Sequence, residues 1–329
     1  MWRFDMWALL TKLNKNLLLA IPTMMLAGFA FGSATDAEFL KSWIIPFTFL
    51  MVYPMMVTLK LKKVLEGGDG KAQFLTQVIN FAIIPFIAYG LGKLFFAHRP
   101  YMALGLLLAA LVPTSGMTIS WTGFAKGNLE AAVKMTVVGL ILGSLATPFY
   151  VQWFLGANVT VDTLAVMKQI AFIVFMPMIA GYATQQWLIK RCTQKVFQEL
   201  WAPRFPGLST IGVLGIVFIA IAVKSRAILA APDMLIGIAV PLVLLYAVNY
   251  LLSTIVGKLT LRRGDAIALV YGTVMRNLSI ALAVAMNAFG PAGSEAALVI
   301  ALAYIIQVQS AAWYVKATDK IFGTGSLSS

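Results

Sequence analysis

The chain has 329 residues, 60% of them hydrophobic and 11% charged, where soluble domains carry about 25% charged residues. That composition excludes a water-soluble globular protein and leaves an integral membrane protein. The formal net charge of +13 then belongs to basic loops beside anionic lipid head groups rather than to a nucleic-acid surface, and a single cysteine excludes a disulfide framework or a cysteine-rich metal site.

Ten apolar stretches follow one another along the chain. In the first half they are residues 17–32, 42–59, 74–96, 101–121 and 131–155; in the second, residues 164–187, 208–223, 234–256, 266–289 and 296–315. Each is long enough, or nearly so, to cross about 30 Å of hydrocarbon, and none alternates like a barrel strand, so each predicts a transmembrane helix. The first stretch follows Lys12 and Lys15 and precedes small residues, the outline of a signal peptide. It is read as a span, because its removal leaves nine and spoils the symmetry between the two halves of the chain.

With the amino terminus inside, seventeen Lys and Arg fall at the inner ends of the stretches and six at the outer ends, while Lys134 and Arg276 lie within stretches. This imbalance predicts both termini in the cytoplasm, with the chain in a prokaryotic plasma (inner) membrane. Trp43, Trp153, Trp187 and Trp313 lie near stretch ends as interface anchors do. Lys134 is expected to snorkel to the cytoplasmic surface. His98 falls in a connection and reads as an interfacial side chain. Cys192, between Arg191 and Thr193, reads as an idle loop residue.

The halves echo each other. Ala27-Gly28-Phe29-Ala30 recurs as Ala180-Gly181-Tyr182-Ala183. Phe124 with Glu130-Ala131-Ala132-Val133 recurs as Phe289 with Glu295-Ala296-Ala297-Leu298, both at an offset of 165 residues. Five spans per half is an odd number, so two related halves, residues 1–155 and 156–329, insert with opposite orientation. That is the inverted-repeat plan of many secondary transporters.

The fourth and ninth stretches are each broken near the middle. The first break reads Leu111-Val112-Pro113-Thr114-Ser115-Gly116-Met117, the second Thr273-Val274-Met275-Arg276-Asn277-Leu278-Ser279. Pro113 cannot donate a backbone hydrogen bond, and Gly116 relaxes the chain just beyond it. The chain carries many other prolines in its apolar stretches, so a kink alone says little. The run of polar residues says more, and the charge of Arg276 at mid-membrane depth demands a partner or a wet cavity. Broken helices present amino ends with positive partial charge and carboxyl ends with free carbonyls. Two amino ends and a guanidinium favour an anion, and the guanidinium fork suits a carboxylate or oxyanion. Expected substrate contacts are Thr114, Ser115, Gly116, Arg276, Asn277 and Ser279, with Asn80 and Gln307 as further cavity residues. Asn249, Gln309 and Ser310 read as interhelical hydrogen-bonding groups.

The carboxylates all sit in loops or at stretch ends, so no intramembrane Asp, Glu or His stands ready as a proton carrier. A sodium site would rest on hydroxyls and carbonyls at Thr114, Ser115, Thr118 and Asn277. Alternatively, Arg276 takes the position of a coupling cation. The sequence leaves both readings open, and no other cofactor is expected.

Ten spans with a Pro-containing break in the fourth and an Asn-containing break in the ninth resemble the bile acid:sodium symporter superfamily. Pro54-Met55-Met56-Val57, Val112-Pro113-Thr114-Ser115-Gly116-Met117 and the run from Arg276 to Ala285 are most similar to its arsenite-carrier branch. The resemblance implies a panel domain of spans 1, 2, 6 and 7 beside a core of spans 3–5 and 8–10, with the broken helices crossing in the core. Thr114 stands where the arsenite carriers have a Cys. Leu278 and Ser279 follow Asn277 where they have a Glu. The expectation is an all-α secondary transporter of a small or amphipathic anion, working by alternating access, with sodium coupling open. The alternatives are an arsenite or metalloid efflux carrier and, from another class, a non-transporting receptor or scaffold. The spans hold no paired-Asp, Ser-His or His-Glu-x-x-His constellation, so no enzyme is expected. The anticipated partners are a small-molecule anion and the lipid bilayer, and the sequence specifies no oligomeric state.

Overall fold

The computed structural model describes residue 7 and residues 16–59, 69–112, 114–156, 163–230 and 233–323. Pro113, Lys12, Lys15 and the basic residues Lys60, Lys62 and Lys63 lie outside the described residues. Every regular element described is helical. In chain order these are α1 (Leu17–Ala34), α2 (Ile44–Val57), α3 (Gly70–Phe95), α4 (Pro100–Leu111), α5 (Gly116–Phe124), α6 (Leu129–Leu155) and α7 (Thr163–Ile170). There follow α8 (Met176–Val196), α9 (Phe205–Ala230), α10 (Asp233–Thr260), α11 (Arg263–Val274), α12 (Leu278–Ala288) and α13 (Gly293–Phe322).

Among the described residues six helical runs are long and apolar enough to cross a membrane, and α1, α4 and α12 are shorter apolar helices. One run, Ala171–Arg226, is 56 residues long, which as a straight helix would measure about 84 Å. It does not run straight. Thr193, inside α8, has φ 67° and ψ 156°, which kinks the run there. Cys192 lies in α8 just before this kink rather than in a loop, its thiol on the Leu188 carbonyl.

Apolar side chains face outward as well as inward. Leu26, Phe149, Ile236, Leu251 and Leu259 are exposed, as are Trp43, Trp153, Trp187 and Trp313, so the outer surface is one that lipid wets. Between helices, small residues allow close approach. α9 packs along both α1 and α2. A methyl group at Gly212 of α9 would come within 2.4 Å of the Met51 nitrogen of α2. α8 joins this group through Gln185 Nε2, which donates to the Val57 carbonyl at 2.9 Å, and through the Tyr53–Thr184 hydroxyl pair. The second group is centred on α13, which packs on α4, α12 and α10 and also against α9 of the first group, with α3, α5, α6 and α11 around it.

Two local features fix the helices around α11. Within α3, residues Val78–Ile83 are π-helical. Pro85 lacks the N–H that would bond the Phe81 carbonyl, and the Tyr150 hydroxyl of α6 donates to that carbonyl at 2.6 Å instead. The widened turn directs Asn80 toward α11. At one end of the bundle Lys134 does not snorkel. It is buried, with Nζ 3.7 Å from Asp69 Oδ2. Asn128 caps α6 at Ala131 N and its Nδ2 donates to both Asp69 and Asp265, so a closed polar cluster ties α3, α6 and α11. Burying Lys134 beside a carboxylate costs less than leaving an uncompensated charge in hydrocarbon.

Candidate functional site

The two breaks meet. α4 stops at Leu111, Val112 leaves the helix (φ −96°, ψ 84°), and Ser115 is extended before α5 starts at Gly116. α11 stops at Val274, Met275 is extended, and α12 starts at Leu278. The Asn277 N–H donates to the Val112 carbonyl at 2.8 Å, which joins one break to the other. The second break needs neither Pro nor Gly.

The helix starts at the two breaks are capped differently. Ser115 Oγ accepts the Met117 N–H while Thr118 Oγ1 accepts the Ser115 N–H, each at 3.2 Å, a reciprocal cap. Asn277 Oδ1 accepts the Ile280 N–H at 3.2 Å. The left-handed residue in the first break is Thr114 (φ 63°), not Gly116, which already belongs to α5. A β-branched residue there costs on the order of 1–2 kcal/mol. Its hydroxyl helps to offset that cost by donating to the Thr136 carbonyl at 3.1 Å.

Ser115 and Asn277 share a cavity of about 100 Å³, closed on its far side by Met55, Met56 and Leu59 at the end of α2 and floored by Thr136 and Leu140 of α6. A larger cavity, about 590 Å³, lies further along α2. Ile45, Phe49, Val52, Phe172, Ile173 and Pro177 make it apolar, Thr48 and Asn287 supply a polar pair at 3.1 Å, and Lys168 stands among its walls. α2 thus lines both cavities.

Arg276 is not part of either lining. It is buried, and its backbone is held on both sides by one amide: its N–H donates to Gln307 Oε1 at 2.8 Å, and Gln307 Nε2 donates to its carbonyl at 3.2 Å. The Tyr246 hydroxyl donates to the same Gln307 Oε1 at 2.9 Å. The guanidinium Nη1 and Nη2 are buried without a hydrogen-bond partner. Asn80 Nδ2 donates to the Gly272 carbonyl at 3.0 Å, and its Oδ1 is likewise unpartnered. Ser279 pairs with the Tyr304 hydroxyl. The predicted residues therefore separate into two faces of one crossing. Thr114, Ser115 and Asn277 gather toward α2 and α6, with Thr118 capping Ser115, while Arg276 and Ser279 turn toward Gln307 and Tyr304 of α13. Asn80 reaches the carboxyl end of α11. Thr136, Tyr246 and Tyr304 were not singled out from sequence. A Thr and two Tyr inside apolar stretches carry no signal until their partners are known.

A lipid-faced helical bundle with two interrupted helices joined at their breaks, a buried cation within one break and cavities along a neighbouring helix is the architecture of a membrane carrier. Residues 45–231, more than half of the chain, match the Sodium Bile acid symporter family, and the chain belongs to it. It is similar to the protein YbaS of Bacillus subtilis (29% identical, covering 63% of this chain and 66% of that protein). The uncharacterized transporter slr0944 of Synechocystis is 25% identical, with 91% and 86% of the two chains covered. The Arsenical-resistance protein Acr3 of Corynebacterium glutamicum is 20% identical, with 75% and 70% covered. The family is one of transporters, and the chain is a membrane transporter of small molecules, not an enzyme.

Proposed function

We propose that this chain is a secondary active carrier of a small or amphipathic organic anion or oxyanion, with its site where the two breaks cross. The observation that carries this reading is the buried guanidinium of Arg276 within the second break, whose Nη groups lack a hydrogen-bond partner. Two helix amino ends each contribute about half a positive charge, and Arg276 adds a full one. Two unit charges about 8 Å apart attract by roughly 2 kcal/mol at an effective dielectric of 20, so the field is felt across a residue or two. An anion in the cavity of Ser115 and Asn277 would answer it. The larger apolar cavity with Lys168 at its wall suits a substrate with an apolar body and an anionic head.

On this reading the chain forms ten spans in two inverted halves, residues 1–155 and 156–329, with both termini cytoplasmic in a bacterial inner membrane. The matching interruptions between α4 and α5 and between α11 and α12 support it. α1, α2, α8 and α9 form the panel and the remaining helices the core, in keeping with how they pack. Alternating access is a rocking of core against α2, which opens one of its two cavities at a time. A metalloid substrate fits less well. Thr114 brings a hydroxyl to the first break, while the thiol of Cys192, the softer ligand, is spent on the Leu188 carbonyl in α8.

The experiment is uptake into proteoliposomes of radiolabelled taurocholate, pyruvate and arsenite by the wild type and by Arg276→Ala of matched stability. Flux of a carboxylate or sulfonate that drops at least tenfold in the variant is expected. Flux of arsenite alone, or flux indifferent to Arg276, contradicts the reading.

A further inference from the structure

Sodium held at an interrupted helix is coordinated by unwound carbonyls and hydroxyls near the half-helix carboxyl end, whose partial negative charge it neutralises. At the crossing, five backbone carbonyls already accept from nitrogen. The Tyr271 carbonyl accepts the Met275 N–H at 3.0 Å. The Gly272 carbonyl accepts from Asn80 Nδ2 and the Thr273 carbonyl from Asn249 Nδ2 at 2.9 Å. The Arg276 carbonyl accepts from Gln307. Across the crossing, the Val112 carbonyl accepts the Asn277 N–H. These five carbonyls, of the kind a cation would seek, are thus turned toward nitrogen donors. No group of three or more carboxylate, His or Cys side chains that could hold a metal ion stands among the described residues.

The same break already contains a cation. Arg276 is 2% exposed, and its Nη1 and Nη2 bond to nothing within the protein. A guanidinium held only to pin the structure would spend those groups on carbonyls, which is what Gln307, Asn80 and Asn249 do here. Its remaining role is charge: it sits just beyond the carboxyl end of α11 and answers the dipole of that half-helix. A free cation bound beside it would meet a like charge in a low-dielectric setting.

The geometry points to Arg276 as a covalently held stand-in for a coupling cation, so that this carrier binds no sodium at the crossing of its breaks and is not driven by a sodium gradient. This deepens the anion reading and rests on it, because a fixed cation biases the crossing toward an anion without recruiting a mobile one.

The test uses the purified full chain in detergent, melted in equal concentrations of sodium chloride and choline chloride. The wild type is expected to melt at the same temperature in both. Arg276→Gln, which removes the charge and supplies a carbonyl, is expected to gain a sodium-dependent rise of roughly 2 °C or more. A wild type stabilised by sodium overturns the proposal, as does a folded Arg276→Gln that is equally indifferent to it. If that variant does not fold, binding of radiolabelled sodium to the wild type decides: none above a heat-denatured control supports the proposal, and saturable binding overturns it. Anion uptake in choline buffer keeps the two readings apart. No flux under any ion condition counts against the anion reading, whereas flux that requires sodium counts against this one.

Discussion

The two breaks do the same geometric job by different chemistry. The first is built mostly from its own neighbours: Thr114 takes a left-handed turn, Ser115 and Thr118 cap each other, and the outside help comes from Thr136 one helix away and from the Asn277 N–H on the Val112 carbonyl. The second is braced from a distance. Asn80 of α3, Asn249 of α10 and Gln307 of α13 each send an amide to its backbone. The first break therefore needs special sequence and little tertiary support, and the second needs little special sequence and much support. Only the second has a charge to hold, and the amides bind backbone so that the guanidinium stays uncommitted.

Single substitutions can break this contrast. Gln307→Leu strands the N–H and carbonyl of Arg276 and the Tyr246 hydroxyl together. At about 1–3 kcal/mol for each of the three orphaned groups, the loss should be about 3–9 kcal/mol, read as a collapse of the melting transition in detergent. Thr118→Val, its counterpart in the first break, removes one partner of one N–H and should cost about 1 kcal/mol. If the two variants lose equal stability, the distinction between local and distant bracing fails.

Thr114 makes the same point on a smaller scale. Thr114→Val keeps the branched side chain at positive φ and forfeits the bond to the Thr136 carbonyl, a loss of about 1–3 kcal/mol. Thr114→Gly loses that bond as well but relieves the backbone, so its stability should change by less than about 1 kcal/mol. Thermal melts of the pair measure the strain directly, and a Gly variant as unstable as the Val variant would mean there is none.

Sequence made the membrane character, the helical class and the location of both interruptions legible. Composition and the run from Val112 to Met117 are local signals, and Arg276 at the middle of an apolar stretch announces itself. Three things were not legible. The separation of Arg276 from Ser115 and Asn277 depends on which way successive residues of a non-helical segment point, and helical periodicity does not reach there. The role of Gln307 as a two-handed clamp depends on a contact 31 residues away in the chain. Lys134 looked like a snorkelling side chain because its partner Asp69 lies in the loop before α3, and nothing in either segment announces that they meet.

The central claim is that an anion occupies the crossing of the breaks against α2. Its most direct test is thiol accessibility in a Cys192→Ser background, with Ser115→Cys and Asn277→Cys examined singly. Both positions should react with a small water-soluble thiol reagent, and the anion that the protein takes up should slow both reactions at least several-fold. Labelling at an unchanged rate in the presence of that anion would place its binding elsewhere and contradict the account.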